Sequence, residues 1–162
     1  MLDASRDMTR ELRDAFGCFA SGVTVVSMID EGGTPTGITV NSFSSLSLEP
    51  ALLLFSIGKS QASIRLFEEG RPFNVNVLCT EQEDLAWQFA KPLDDKFAGV
   101  RSWEAENGVP VIEGSMAWFV CERHELFEGG DHLIVVGKIL EFGSREAKPL
   151  VFLQGTMREV AV

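Results

Sequence analysis

The sequence predicts a mainly β domain, an antiparallel barrel that is closed or split, with helices on its periphery. Three observations carry this. Runs that are alternating or rich in β-branched residues recur along the chain, among them "GVTVVSMI", "ALLLFSIG" and "PFNVNVL". Short turn-forming connections such as "DEGGTPTG" and "EGGD" join them, which suits antiparallel neighbours. The regular strand–helix alternation of a doubly wound sheet is missing, as are G-x-G-x-x-G and G-x-x-x-x-G-K-[ST], so neither a Rossmann nor a P-loop site is available.

Each element follows from local pattern. Leu12, Ala15, Phe16, Phe19 and Ala20 recur at helical spacing, in a helix starting near Asp7 or Thr9. "GVTVVSMI" is a strand, "DEGGTPTG" a hairpin connection and "GITVNSFSSLSLEP" the return strand. In that return strand Ile38 and Val40 alternate with Thr39 and Asn41, the alternation breaks at Ser42-Phe43-Ser44, and it resumes around Leu46 and Leu48. "ALLLFSIG" suits a strand buried on both faces. Ser60 opens a short helix that turns Ile64 and Phe67 inward and stops at Gly70. "PFNVNVL" puts Phe73, Val75 and Val77 on one face and Asn74 and Asn76 on the other. Thr80 and Glu83 have capping-box spacing before a helix that carries Leu85 and Phe89 and ends at Pro92. Residues 94–110 read as loop; "GSMAWFVCERHELF" and "DHLIVVGKILEF" are long strands and "PLVFLQ" a last short one. The total is roughly six to seven strands and three helices in one domain spanning 1–162.

Composition narrows the function. With 45% hydrophobic and 23% charged residues this is ordinary globular material. The net charge of −10, with no basic run, argues against nucleic-acid binding, which needs a Lys/Arg patch. "MLDASRDMTREL" lacks an apolar signal core, and no stretch approaches the about 18 apolar residues of a membrane helix, so a cytoplasmic location is expected. Cys18, Cys79 and Cys121 are far apart with apolar neighbours; they read as free buried thiols, without the paired spacing of a zinc site.

Three places can carry chemistry. The hydroxyl-rich break near Ser42 is either local turn chemistry or a cradle whose mixed donors and acceptors suit a flat heterocycle. Lys59, Ser60 and Ser63 in "SIGKSQAS" are either a plain cap or an anion site at a helix start. His132, after "EGGD", is either structural or placed to bond a carboxamide at a strand mouth; His124, in "CERHEL", faces solvent.

Taken in order, these segments resemble the short-chain flavin reductases that supply reduced flavin to two-component monooxygenases. "FASGVTVVS" is similar to that family's first strand, and "GITVNSFSSLSLEP" to its flavin segment. "RPFNVNVL", "DKFAGV", "GVPVIEGSMAWFVCE" and "GGDHLIVVGKI" follow in family order. The resemblance implies a split β-barrel of the FMN-binding, Greek-key type and a homodimer with flavin near the subunit interface. It implies reduction of FMN or FAD by NADH or NADPH and a separate oxygenase partner. By position, Thr39, Val40, Asn41, Ser42, Phe43, Ser44 and Ser45 would line the flavin ring and ribityl chain, Lys59, Ser60 and Ser63 would hold its phosphate, and Asn76 and Phe97 would border it. His132 would act as the catalytic contact to the nicotinamide, and the closing strand near Gly155 would cover it. Ala51 stands where the family's second proline is usual. The family often has tyrosines where this chain reads "PLVFLQGTMRE"; the chain has no Tyr, and Phe152 sits one place earlier. A flavin-binding electron carrier of the same fold that does not use nicotinamide is the competing reading.

Overall fold

The computed structural model describes residues 4–161, with side chains from residue 8 onward. Helix α1 (Ala4–Gly17) leads into β1 (Ser21–Gly22), β2 (Thr24–Ile29), β3 (Pro35–Val40), β4 (Ser44–Leu48) and β5 (Ala51–Gly58). Then come α2 (Ile64–Glu68), β6 (Phe73–Val77), a 3-10 turn at Thr80–Gln82 and α3 (Glu83–Ala90). The remainder is β7 (Ser102–Glu104), β8 (Pro110–Ile112), β9 (Ala117–Gly129), β10 (His132–Ser144), β11 (Leu150–Leu153) and β12 (Thr156–Glu159). No helix among the described residues is long and apolar enough to cross a membrane.

Seven strands form one antiparallel sheet in the order β3-β2-β6-β9-β10-β5-β4. β1, β11 and β12 make a small second sheet, and β7 pairs with β8. Strands β3 and β4 are consecutive in the chain yet lie at opposite edges of the large sheet. The expected single return strand is therefore two strands, and Asn41–Phe43 crosses the seam of a barrel that is split, not closed. Ser42 pins that crossing. Its hydroxyl donates to the Ser56 carbonyl on β5 at 3.0 Å and accepts the Ser56 N–H at 2.9 Å. A hydroxyl can do both at once, which is why it substitutes for a backbone pair where the ladder stops.

The main core lies inside this curved sheet. Phe55, Phe67 and Phe73, all fully buried, meet edge to face with centroids 5.5–5.6 Å apart. A second core of Val23, Val25, Leu78, Phe89 and Leu150 is shared by the sheet, α3 and β11. Strand β5 buries Leu53, Phe55 and Ile57 but leaves Leu52, Leu54 and Ser56 half-buried, so it has one fully covered face where two were expected. Strand β6 does the opposite, because its Asn74–Asn76 face is buried as well. What covers it is the β7–β8 hairpin, which begins within the stretch read as loop and runs two residues past it. Asn74 Nδ2 donates to the Val109 carbonyl at 2.9 Å, and Asn76 Oδ1 accepts the Ile112 N–H at 2.9 Å.

Four further expectations change. Helix α2 begins at Ile64 instead of Ser60, because Ser60–Ser63 form turns. The capping box pairs Cys79 with Gln82, one residue before the predicted pair. A closing strand, β12, follows the Gln154-Gly155 turn. Among the cysteines, Cys79 and Cys121 are buried, and burial pushes the Cys121 thiol up to about 12, but Cys18 is exposed at the end of α1. Among the described side chains, the apolar residues of the helix and of the turn after it are left open. Leu12, Phe16 and Phe19 are 51%, 69% and 83% exposed.

Candidate functional site

The first cavity, of about 550 Å³, opens where β5 ends and β10 begins. Register sets it up, because His132 pairs with Gly58 and the turn after Gly58 therefore lies beside the imidazole. The Lys59 N–H donates to the Asp131 carbonyl at 2.9 Å, which ties the two turns together. Lys59 Nζ ion-pairs with Glu128. His132 Nδ1 lies 2.7 Å from Asp131 Oδ1. The hydrogen bond from His132, reinforced by its charge, holds the Asp131 carboxyl below the ordinary carboxylate range. With Nδ1 engaged, Nε2 is the free ring nitrogen, and it lies 3.7 Å from where a Cβ on Gly58 would be. Ser60 and Gln61 complete the wall, with Arg13 reaching in from α1.

The second cavity, of about 680 Å³, lies between the C-terminal end of α1 and the β11–β12 turn. Phe16, Phe19 and Phe152 supply aromatic walls, and Asn41 supplies an amide. The turn has positive φ at both Gln154 (50°) and Gly155 (77°), the geometry of a tight hairpin whose twist matches its strands. No atom lies within 4 Å of where a Cβ on Gly155 would sit, so the glycine leaves its side of the cavity open. Arg13 lines both cavities and makes them neighbours.

Five expected site residues therefore come together: Lys59, Ser60 and His132 in one cavity, Asn41 and Gly155 in the next. The others are placed differently. Thr39 donates its hydroxyl to the Ala86 carbonyl at 2.6 Å, and Val40 is buried in the core. Ser42 holds the seam, and Phe43 stacks on Phe119 at 5.8 Å. Ser44 and Ser45 are exposed on β4, the Ser44 hydroxyl bonding the Ser45 carbonyl. Ser63 precedes α2 without a side-chain cap. Two more are engaged within the fold. Asn76 is fully buried, its amide donating to the Val25 carbonyl and accepting from Ile112, so no atom is left for a flavin. Phe97 packs edge-on against Phe89 at 5.0 Å, held there as Lys96 donates to the Gly37 and Phe89 carbonyls. The residues missed were Arg13, Gln61, Asp131 and the aromatic pair Phe16 and Phe19. Helical spacing marks the two phenylalanines as part of the first helix; nothing local says that α1 borders a cavity.

The donor set suits a flavin nucleotide: aromatic walls and an amide for a flat ring, and two cations with a hydroxyl for a phosphate. The comparisons agree. The family described as "Flavin reductase like domain" matches residues 16–161. The chain is 44% identical over 146 residues to the reductase component of the flavin-dependent trigonelline monooxygenase of Acinetobacter baylyi, covering 90% of this chain and 47% of that protein. It spans about half the length of such curated relatives. Nitrilotriacetate monooxygenase component B from Mycobacterium thermoresistibile superposes with a TM-score of 0.93 at 34% identity, covering 98% of this chain and 89% of that one. The NADH:FAD oxidoreductase of Streptomyces globisporus C-1027, in complex with NAD and FAD fragments, gives 0.90 at 36% identity, covering 99% and 97%. Split barrel, adjoining cavities and matched span converge, and the chain belongs to the flavin reductase like domain family.

Proposed function

We propose that this chain, acting as one domain from 1 to 162, is an NAD(P)H-dependent flavin reductase that supplies reduced FMN or FAD to a separate oxygenase. The observation that carries the reading is the adjacency of an aromatic cavity holding Asn41 to a cationic cavity holding Lys59 and His132. The Streptomyces globisporus relative's structure, with both NAD and FAD fragments, supports it. A bound flavin supplies the hydride acceptor. The chain's own part is to bind, orient and exclude water. Asn41 offers donor and acceptor to the ring edge, with Ser44 and Ser45 near the same seam, and Phe152 takes the covering place that the absent tyrosines would fill. Lys59 and Ser60 face the phosphate. His132, its Nδ1 held by Asp131, presents Nε2 to the nicotinamide carboxamide. No nucleophile or general base is needed.

The test is NADH or NADPH oxidation with added FMN or FAD; no flavin-dependent turnover with any pair would sink the reading. Within an active enzyme, His132→Ala is expected to raise the nicotinamide KM about tenfold with kcat changed less than about twofold, as loss of one positioning hydrogen bond predicts. Unchanged KM would remove His132 from the site.

We also infer a cytoplasmic homodimer. The free thiols Cys79 and Cys121 suit a reducing compartment. The β5–β10 ladder ends at Leu52 and Lys138, while the β4–β5 hairpin closes at Leu48 and Ala51. That places Leu48, 97% exposed, at the same end of the sheet as exposed Leu140 and Phe142. An apolar patch of this kind on an otherwise charged chain marks an interface. Phe142→Asp is expected to weaken dimerisation by about 100-fold, the scale of a lost aromatic anchor, as read by light scattering against concentration. A monomeric wild type, or a variant that dimerises equally well, overturns this assignment.

A further inference from the structure

We propose that Arg13 is a second phosphate-binding cation of this site beside Lys59, an affinity-determining residue delivered by α1. The proposal rests on the flavin reductase reading above.

Three cationic or potentially cationic side chains line the first cavity, and two are already engaged. Lys59 is paired with Glu128, and His132 is bonded to Asp131. Arg13 makes no ion pair or hydrogen bond among the described residues, so its five N–H donors are available. The fold also aims it. The Gly17 carbonyl accepts the Gln154 N–H at 2.8 Å, which docks the C-terminal end of α1 on the β11–β12 turn. Arg13 lies four residues earlier, on the same helical face, and is carried over both cavities. A nucleotide with its ring between Phe16, Phe19 and Phe152 would pass its phosphate by this guanidinium.

The other source of positive potential is weak. Helix α2 has five residues and no side-chain cap at Ser63, so its dipole adds little beside Ser60. The chain carries a net charge of −10, which disfavours a phosphate dianion unless an unneutralised cation sits at the site. A planar guanidinium binds phosphate through two parallel hydrogen bonds, which a lysine already held by a glutamate cannot match.

The phosphate can belong to the flavin or to the dinucleotide, and phosphate-free analogues separate the two. Wild type, Arg13→Gln, Arg13→Lys and, as a control on the same helix outside both cavities, Arg10→Gln would be titrated with FMN and with riboflavin by fluorescence quenching. The KM would be measured for NADH and for reduced nicotinamide riboside. Wild-type turnover with FMN comes first, since its failure condemns the parent reading and not this one. Arg13→Gln is expected to weaken FMN about 10- to 100-fold while riboflavin changes less than about twofold, with partial rescue by Arg13→Lys and no effect of Arg10→Gln. The same selective loss on NADH, sparing the riboside, assigns Arg13 to the dinucleotide pyrophosphate. Equal losses on phosphate-bearing and phosphate-free ligands, or no loss on either, overturn the proposal.

Discussion

Phe55→Ala is expected to cost the fold about 3–5 kcal/mol, a large part of the roughly 5–15 kcal/mol that holds a domain of this size together. Phe55 is completely buried and meets both Phe67 and Phe73 edge-on, each at 5.5 Å. Truncation removes the transfer free energy of a phenyl ring and two quadrupolar contacts, and leaves a void between rigid strands. β5 pairs with β10 on one side and β4 on the other, so its neighbours cannot close in without breaking register. The same strand ends at Gly58 and carries the Lys59 turn against His132, which makes this packing the support of the first cavity. Denaturant unfolding measures the loss. A change below about 1 kcal/mol would show that the core refills and that the aromatic trio is not what holds β5 in place.

Asn76→Ala is expected to cost about 2–4 kcal/mol and to leave flavin affinity of the folded protein unchanged. The amide of Asn76 joins three segments. It donates to the Val25 carbonyl on β2 at 3.0 Å and accepts the Ile112 N–H of the β7–β8 hairpin at 2.9 Å, while Ser27 lies 3.1 Å away. Removing it strands a buried carbonyl and a buried N–H, each of which loses water without gaining a partner. Unfolding free energy and flavin titration, made on the same preparation, decide the matter. A stable protein with weakened flavin binding would return Asn76 to the ligand and refute the interior role.

The contrast between Asn76 and Asn41 explains how the site could be read in part. Both are asparagines next to β-branched residues, and both fall in segments that resemble the family pattern. Asn41 lies just past the end of β3, where the chain leaves the sheet to cross the seam, and its amide meets a cavity. Asn76 lies inside a strand whose second face is covered by residues that carried no strand signal, because β7 and β8 are three residues each and sit among Gly108, Pro110 and acidic residues. Lys59, Ser60 and His132 were legible because each lies at the end of a strongly patterned strand, the first two in the turn after β5 and His132 opening β10. Arg13 was not, since its role depends on Gly17 meeting Gln154 across almost the whole chain.

By itself the sequence determined the antiparallel β class, most strand positions, the family and the two turns that frame the cationic cavity. These rest on local terms: side-chain alternation, β-branched propensity and turn chemistry act over a few residues and show in any short window. Only the tertiary structure decided that "GITVNSFSSLSLEP" is two strands at opposite edges of one sheet, with Ser42 stitching the crossing to Ser56. Only it decided which asparagine is buried and that α1 holds Arg13 over the cavities. A strand's pattern states which residues prefer to be covered, but not what covers them, because edge order and helix docking are set by contacts between residues far apart in the chain.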